Sequence, residues 1–329
     1  MALHESHTAT RDVKIQPGVS GAWSGLAWAA LGFVLLMYAV FGWTQWITSE
    51  HFTPAPVGPD EFPFANLIAL RMLEVVSVVG CALVMWFIVI RPWRETGQPS
   101  FPGILVLGAF PAVFWDQTVS YRHFTGAFNA YAVQFGGWGS FIAGAATDTH
   151  TGEPLLWTVP QFVIGPAVAL LGVVYIEWLR KRRPGISNLA AFLALLPLAC
   201  LLSFVMEVGI LFRLTQAGAY VRTWESLTLW AGTQYQFPLY EPLFFSTWVF
   251  GFVYLHLTYR DRGTTFLHKG LERIQHPGTR TAVLFLASAG FQSVWCVAAY
   301  FGPWALQAVH ADSVLTNLPS YLQPIPHVP

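Results

Sequence analysis

Long apolar runs recur along the chain, separated by short stretches rich in Pro, Gly and charge. A helix rises about 1.5 Å per residue, so roughly 20 apolar residues cross the hydrocarbon core of a bilayer. The pattern predicts helices over about Trp23–Ile47, Asn66–Ile90, Gly103–Ser120, Trp157–Leu179, Leu189–Phe212, Pro238–Tyr259 and Thr281–Phe301. The first is too long for a signal-peptide core and lacks a small-residue cleavage site, so it reads as retained. The expected fold class is all-α: a polytopic membrane helical bundle of about seven transmembrane helices, in a single domain over residues 23–302. Residues 1–22 are polar and read as a disordered cytoplasmic N-terminus, and residues 303–329 as a proline-rich C-terminal tail, whose last stretch PSYLQPIPHVP is not expected to be helical.

Two stretches break the pattern. Residues 121–155 read YRHFTGAFNAYAVQFGGWGSFIAGAATDTHTGEPL, dense in glycine, aromatics and amides. Structureless loops beyond about 15 residues are uncommon and often functional, so this segment is expected to fold over or into the bundle, on the outer side. The second, GTQYQFPLYEP from Gly232 to Pro242, sets a carboxylate, Glu241, at the start of an apolar helix. An acid at that depth is costly and is kept where it pairs or does chemistry.

Composition agrees with a membrane protein. Apolar residues make up 54% of the chain and charged residues 10%, against about a quarter charged in soluble proteins. The net charge of zero gives no footprint for nucleic acid. Cys81, Cys200 and Cys296 lie far apart in apolar runs, without disulfide or metal spacing, and read as packed core residues. Of the histidines, His256 alone falls inside an apolar span. The sequence holds no HExxH, P-loop, dinucleotide fingerprint or Asp-rich diphosphate motif, and the last helix has no lysine for a Schiff base. No metal and no cofactor is implied.

Lys and Arg set an orientation. With the N-terminus in the cytoplasm, the inner segments hold Arg11, Lys14, Arg91, Arg94, Arg180 to Arg183, Arg260, Arg262, Lys269, Arg273 and Arg280, while the outer loops hold Arg122 and Arg222. The positive-inside rule therefore predicts a cytoplasmic N-terminus and an external C-terminus. On this topology Arg71, Glu74, Asp116, Glu207, Arg213 and Glu241 converge on the outer half of the bundle. Each acid has a structural alternative: Arg71 with Glu74 as an ion pair, Glu207 answering an arginine, Asp116 as a solvated helix end. All being inert together is the weaker reading, because they share one level beside the irregular segment.

The stretch GTQYQFPLYEP, the helix carrying Glu207, the FWDQ segment around Asp116 and the later YRDRGTTFLHKGLERI together resemble the avermectin spirocyclase (AveC) family of bacterial membrane proteins. The resemblance runs from about Pro56 to Arg280 and is most specific around Tyr235 to Glu241. In the glycine-rich part the chain departs from the family pattern, with Asp116-Gln117 and Gly137-Trp138. The resemblance implies cyclisation of a dihydroxy-ketone, polyketide-like substrate into a spiroketal, in some members with loss of water. Acid–base chemistry by two carboxyl groups of split pKa suits that reaction. Glu241 and Asp116 are the expected catalytic pair, with Glu207 as the third acid. Arg71 is expected to hold one carboxylate ionised, and Arg71 and Glu74 are counted with the substrate-binding residues. Asn129, Gln236 and Tyr240 would orient substrate oxygens, and Tyr121, Trp138, Tyr235 and Tyr240 would flank a cationic intermediate. The expected partners are a hydrophobic small molecule and membrane lipid. The rival reading is a non-catalytic protein that binds or moves a polyketide- or terpenoid-like lipid through the same pocket.

Overall fold

The computed structural model describes residues 24–118, 124–144, 149–150, 152–323 and 325–326. The N-terminal segment 1–22 and Tyr121 lie outside the described residues. The chain is mostly helical: α1 (Ser24–Thr48), α2 (Phe64–Thr96), α3 (Phe101–Trp115), α4 (Thr158–Arg182), α5 (Asn188–Leu214), α6 (Glu241–Arg262) and α7 (Pro277–Val309). The ends follow local chemistry. Ser100 and Ser187 cap α3 and α5 by accepting from Gly103 N and Ala190 N at 3.2 Å. Gly97 and Gly263 close α2 and α6 in the left-handed conformation, where a side chain would be strained.

Five of these helices (α1, α2, α4, α5 and α7) are long and apolar enough to cross a membrane. The expected third and sixth spans form as helices but differ in kind. α3 is short, because its last turn tightens to a 3₁₀ helix over Phe110–Trp115. α6 carries His256, tyrosines and a tryptophan among its apolar residues, since it is the interior helix, packed against α4 and α5. There His256 is satisfied by the Pro166 carbonyl at 3.2 Å. By length and composition five of the seven expected helices therefore qualify as candidate spans among the described residues.

Packing of the helices depends on small residues. α1 lies most extensively on α7, and at their crossing the backbones of Gly32 and Gly290 meet so closely that neither position has room for a Cβ. Lipid tails are as apolar as leucine, so such van der Waals contact, rather than hydrophobic exclusion, holds membrane helices together. The main core cluster joins Phe114, Trp138, Phe162, Trp248, Phe252 and Phe301 from α3, α4, α6, α7 and the irregular segment.

The described part of 121–155 packs into the body. Gly126–Phe128 pairs antiparallel with Gly218–Tyr220, and Asn129, Gln134, Trp138 and Glu153 are all buried. The chain beyond residue 302 also packs into the body. α7 runs on through Pro303 to Val309, because Pro303 falls in the first turn after a π-helical segment, where its missing N–H is tolerated. Ser313–Val314 then pairs with Arg222–Thr223, and the buried Tyr321 donates to Gln216 Oε1 at 2.9 Å.

Candidate active site

The end regions of α3, α4, α5 and α7, with Trp248 of α6 and the irregular segment, line a cavity of about 100 Å³. Asp116 and Glu207 are its acidic wall residues, and Trp157, Phe162, Trp248, Tyr300 and Trp304 supply most of its aromatic surface. Asp116 follows the 3₁₀ turn of α3, its N–H bonded to Val113 O at 3.1 Å. Glu207 and Tyr300 each sit in a π-helical segment, Val205–Leu214 of α5 and Val297–Phe301 of α7. A π-turn inserts an extra residue and rotates the face a helix presents, and it occurs often at functional sites.

Each wall acid is backed by a second acid that is fully buried. Behind Asp116 stands Glu153, 0% exposed. Gln117 Nε2 donates to Glu153 Oε2 at 2.7 Å, while Gln117 Oε1 accepts from Trp138 N at 2.8 Å. The Thr158 hydroxyl lies beside Glu153 and also bonds Pro154 O at 2.6 Å; with one hydrogen it serves one acceptor at a time. With that hydrogen on Pro154, Glu153 Oε1 has no N–H or hydroxyl donor, and Asp116 is its hydrogen-bonding neighbour. Two carboxyl groups in contact cannot both be ionised in an apolar surround, so the pair holds a proton between them. Burial raises the Glu153 pKa above its ordinary value, and the hydrogen bonds from Thr158, Gln117 and Asp116 offset part of that rise.

Behind Glu207 stands Glu241, also 0% exposed and close enough to act on it electrostatically. Ser203 Oγ donates to Glu241 Oε2 at 2.7 Å, and Oε1 has no partner. Tyr220 stands beside the second pair, its hydroxyl 3.4 Å from Glu207 Oε2. Burial pushes the Tyr220 phenol well up, and Glu207 and Glu241 add to the shift, so it remains a hydrogen donor. Aromatic rings line the rest, with Tyr220 stacked on Trp304 at 4.9 Å and Trp248 on Tyr300 at 6.2 Å.

The structure thus brings Asp116, Glu207 and Glu241 into one cluster, with Glu207 rather than Glu241 on the cavity wall. The other expected residues sit elsewhere. Arg71 pairs with Glu74 and donates to Tyr131 O at 2.7 Å, and Glu74 Oε1 accepts from Val133 N at 2.7 Å. That pair anchors the irregular segment to α2. Asn129 bonds Gln216 O and Tyr131 N, both at 2.8 Å. Trp138 donates its indole N–H to Phe114 O at 2.8 Å. Tyr235 packs under the Arg213 guanidinium at 5.4 Å. Gln236 donates to Tyr220 O at 2.8 Å, holding the strand that carries Tyr220. Tyr240 packs on Trp304 at 5.7 Å behind the wall, and burial raises its phenol to about 12.

Comparison with known proteins adds one decisive match. The profile of a family described as Spirocyclase AveC-like aligns with residues 98–327, most of the chain. The chain belongs to the AveC-like spirocyclase family. The match starts after α2 and runs through the C-terminal segment, whereas the sequence motifs had placed the resemblance over about Pro56 to Arg280. All four clustered acids, with Tyr220 and Tyr300, fall inside the matched region. No curated protein and no solved structure matches the chain. Membership in this family points to a cyclase-type enzyme, and the apolar helices point to a membrane protein.

Proposed function

We propose that the chain is a cofactor-free, membrane-embedded cyclase that closes a dihydroxy-ketone, of polyketide-like type, into a spiroketal by carboxyl acid–base catalysis. The observation that supports this reading is the pairing of wall acids with buried acids around one aromatic cavity: Asp116 with Glu153, and Glu207 with Glu241. The first substrate hydroxyl adds to the ketone to give a hemiketal. The proton held by Asp116 and Glu153 passes to the hemiketal oxygen, which leaves as water. The resulting oxocarbenium ion is stabilised by nearby carboxylate charge and by aromatic faces. The second hydroxyl attacks it while the Glu207–Glu241 pair accepts its proton, so one water leaves per spiroketal formed. Enclosure matters here, because bulk water competes with the internal hydroxyl. On the positive-inside argument, the cavity lies in the outer half of a bacterial cytoplasmic membrane, with the N-terminus in the cytoplasm and seven helices crossing.

The test is product formation by the purified protein in lipid, given a synthetic dihydroxy-ketone. Stereoselective spiroketal that is lost in Asp116→Asn and Glu207→Gln supports the proposal. Ligand-induced stabilisation without turnover in the parent protein would favour binding or transport instead.

A further inference from the structure

A second, larger space adjoins the acid cavity. It measures about 360 Å³ and runs between α2, α4, α5 and α6. Trp157, Gln161, Glu207, Leu211 and Trp248 line both spaces, so the two meet at one wall. Away from that wall the groove is apolar apart from Ser77 and Ser203. Its outer rim is open: Leu171, Leu202 and Met206 are 67%, 45% and 40% exposed, and all three lie on helices long and apolar enough to cross a membrane.

Size makes the two spaces complementary. Ligand pockets usually measure about 300–1,000 Å³, so a cavity of about 100 Å³ accepts the reacting carbons of a polyketide-like molecule and not its whole length. The rest of the molecule needs an adjoining apolar space, and the groove is one. Polar demand is concentrated at the junction. The indole N–H groups of Trp157 and Trp248 are buried without an acceptor, and an unmet buried donor is destabilising. A substrate oxygen at the junction would satisfy such a donor. Gly165 keeps the junction compact, because a Cβ there would press on the Trp248 ring.

We infer that the groove is a lateral opening to the bilayer that holds the hydrocarbon tail of the substrate while its ketone and hydroxyls sit between Asp116 and Glu207. The substrate is then an amphiphile with a long apolar chain, delivered from the membrane rather than from water. This inference rests on the cyclase reading of the acid cavity.

The experiment compares two dihydroxy-ketones with the same reacting head, one with a long alkyl tail and one without, in Ser77→Trp and Val168→Trp. Both substitutions fill the groove from facing helices, away from the acids. The expected result is a fall of at least about tenfold in kcat/KM for the tailed substrate, with the tail-less one within about twofold of the parent. Equal effects on the two substrates, or none on either, overturn the inference. If neither substrate is turned over by the parent, the cyclase reading fails, and photolabelling with a tail-end diazirine on the same ketone decides the groove separately. Labels concentrated on Leu171, Leu202 and Met206 and lost in Val168→Trp support tail binding there. Labels spread over the outer faces of α1 and α2, or displaced equally by phospholipid, reject it.

Discussion

Gln117 donates to Glu153 Oε2 at 2.7 Å through its amide nitrogen and accepts from Trp138 N at 2.8 Å through its amide oxygen. The backbone donor fixes which end of the amide faces Glu153, so the carboxyl receives an N–H and not a second lone pair. One side chain therefore ties the buried acid to the irregular segment and sets the contact that Glu153 makes with Asp116.

The first prediction concerns that acid. Glu153→Gln keeps the shape and the bond from Gln117 rearranges locally, but the shared proton is lost. General acid catalysis contributes typically 10²–10⁴-fold, so kcat is expected to fall by about 10²-fold or more with KM changed by no more than a few-fold. Glu153→Ala is expected to lose activity and also unfold at lower temperature, because Gln117 then has a buried donor unmet. Single-turnover kinetics with thermal unfolding of both variants checks this, and undiminished kcat in Glu153→Gln would remove Glu153 from the mechanism.

The pH dependence of stability follows from the same group. Burial, the dominant cause, holds the Glu153 carboxyl above its ordinary value of 4.5. Between the unfolded pKa, about 4.3, and the raised folded one, the native protein binds more protons than the unfolded chain. The slope of unfolding free energy with pH is then negative. This contribution is fully present below the unfolded pKa and is lost as pH rises through the folded one. The melting temperature of the parent is expected to drop over that window more steeply than that of Glu153→Gln. Parallel curves for the two proteins would contradict the assignment.

Arg71 and Glu74 lie off the wall of the acid cavity and pair with each other against the irregular segment. Glu74 is 2% exposed and holds both the Arg71 guanidinium and the Val133 N–H. Glu74→Ala leaves the half-buried Val133 N–H without its acceptor, which costs about 1 kcal/mol or more. The expected outcome is a lower melting temperature with turnover per folded molecule within about twofold of the parent. A loss of turnover at full stability would return the pair to the catalytic site.

How much of this the sequence carries depends on the kind of residue. Apolar runs announce helices, and an acid inside one, such as Glu207 in SFVMEVGI, stands out against its neighbours. Glu153 does not, because TGEP resembles a solvated turn and becomes a buried site only when 121–155 folds into the bundle. A signal was present all the same: Glu153 and Glu241 are the two glutamates followed by proline, each shortly before a helix. Tyr300 reads as an ordinary aromatic, since a π-turn shifts the helical face away from the 3.6-residue pattern that sequence reading assumes, and Tyr220 does so because it ends a three-residue strand too short to show a pattern. Asn129, Trp138 and Gln236 lie off the wall of the acid cavity for a general reason. An irregular segment buried in a protein leaves many backbone groups without ladder partners, and polar side chains nearby are consumed in satisfying them.

The last prediction joins packing to the site. α7 carries Tyr300 and Trp304 on the cavity wall, and its position is set by the crossing with α1 at Gly32 and Gly290. A side chain at 290 meets the Trp28 carbonyl and the Gly32 backbone, neither of which can rotate away. Gly290→Leu must therefore push α1 and α7 apart, and overpacking of this sort costs about 1–3 kcal/mol or more. Because the displaced helix bears two wall residues, activity is expected to fall along with stability. Val34, 60% exposed on α1, is the matched control: Val34→Leu adds apolar bulk to the same helix where there is room, and changes of about 0.5 kcal/mol or less are expected there. The melting temperatures of the two variants in lipid decide the matter. Equal values would mean that α1 and α7 do not meet backbone to backbone at these glycines.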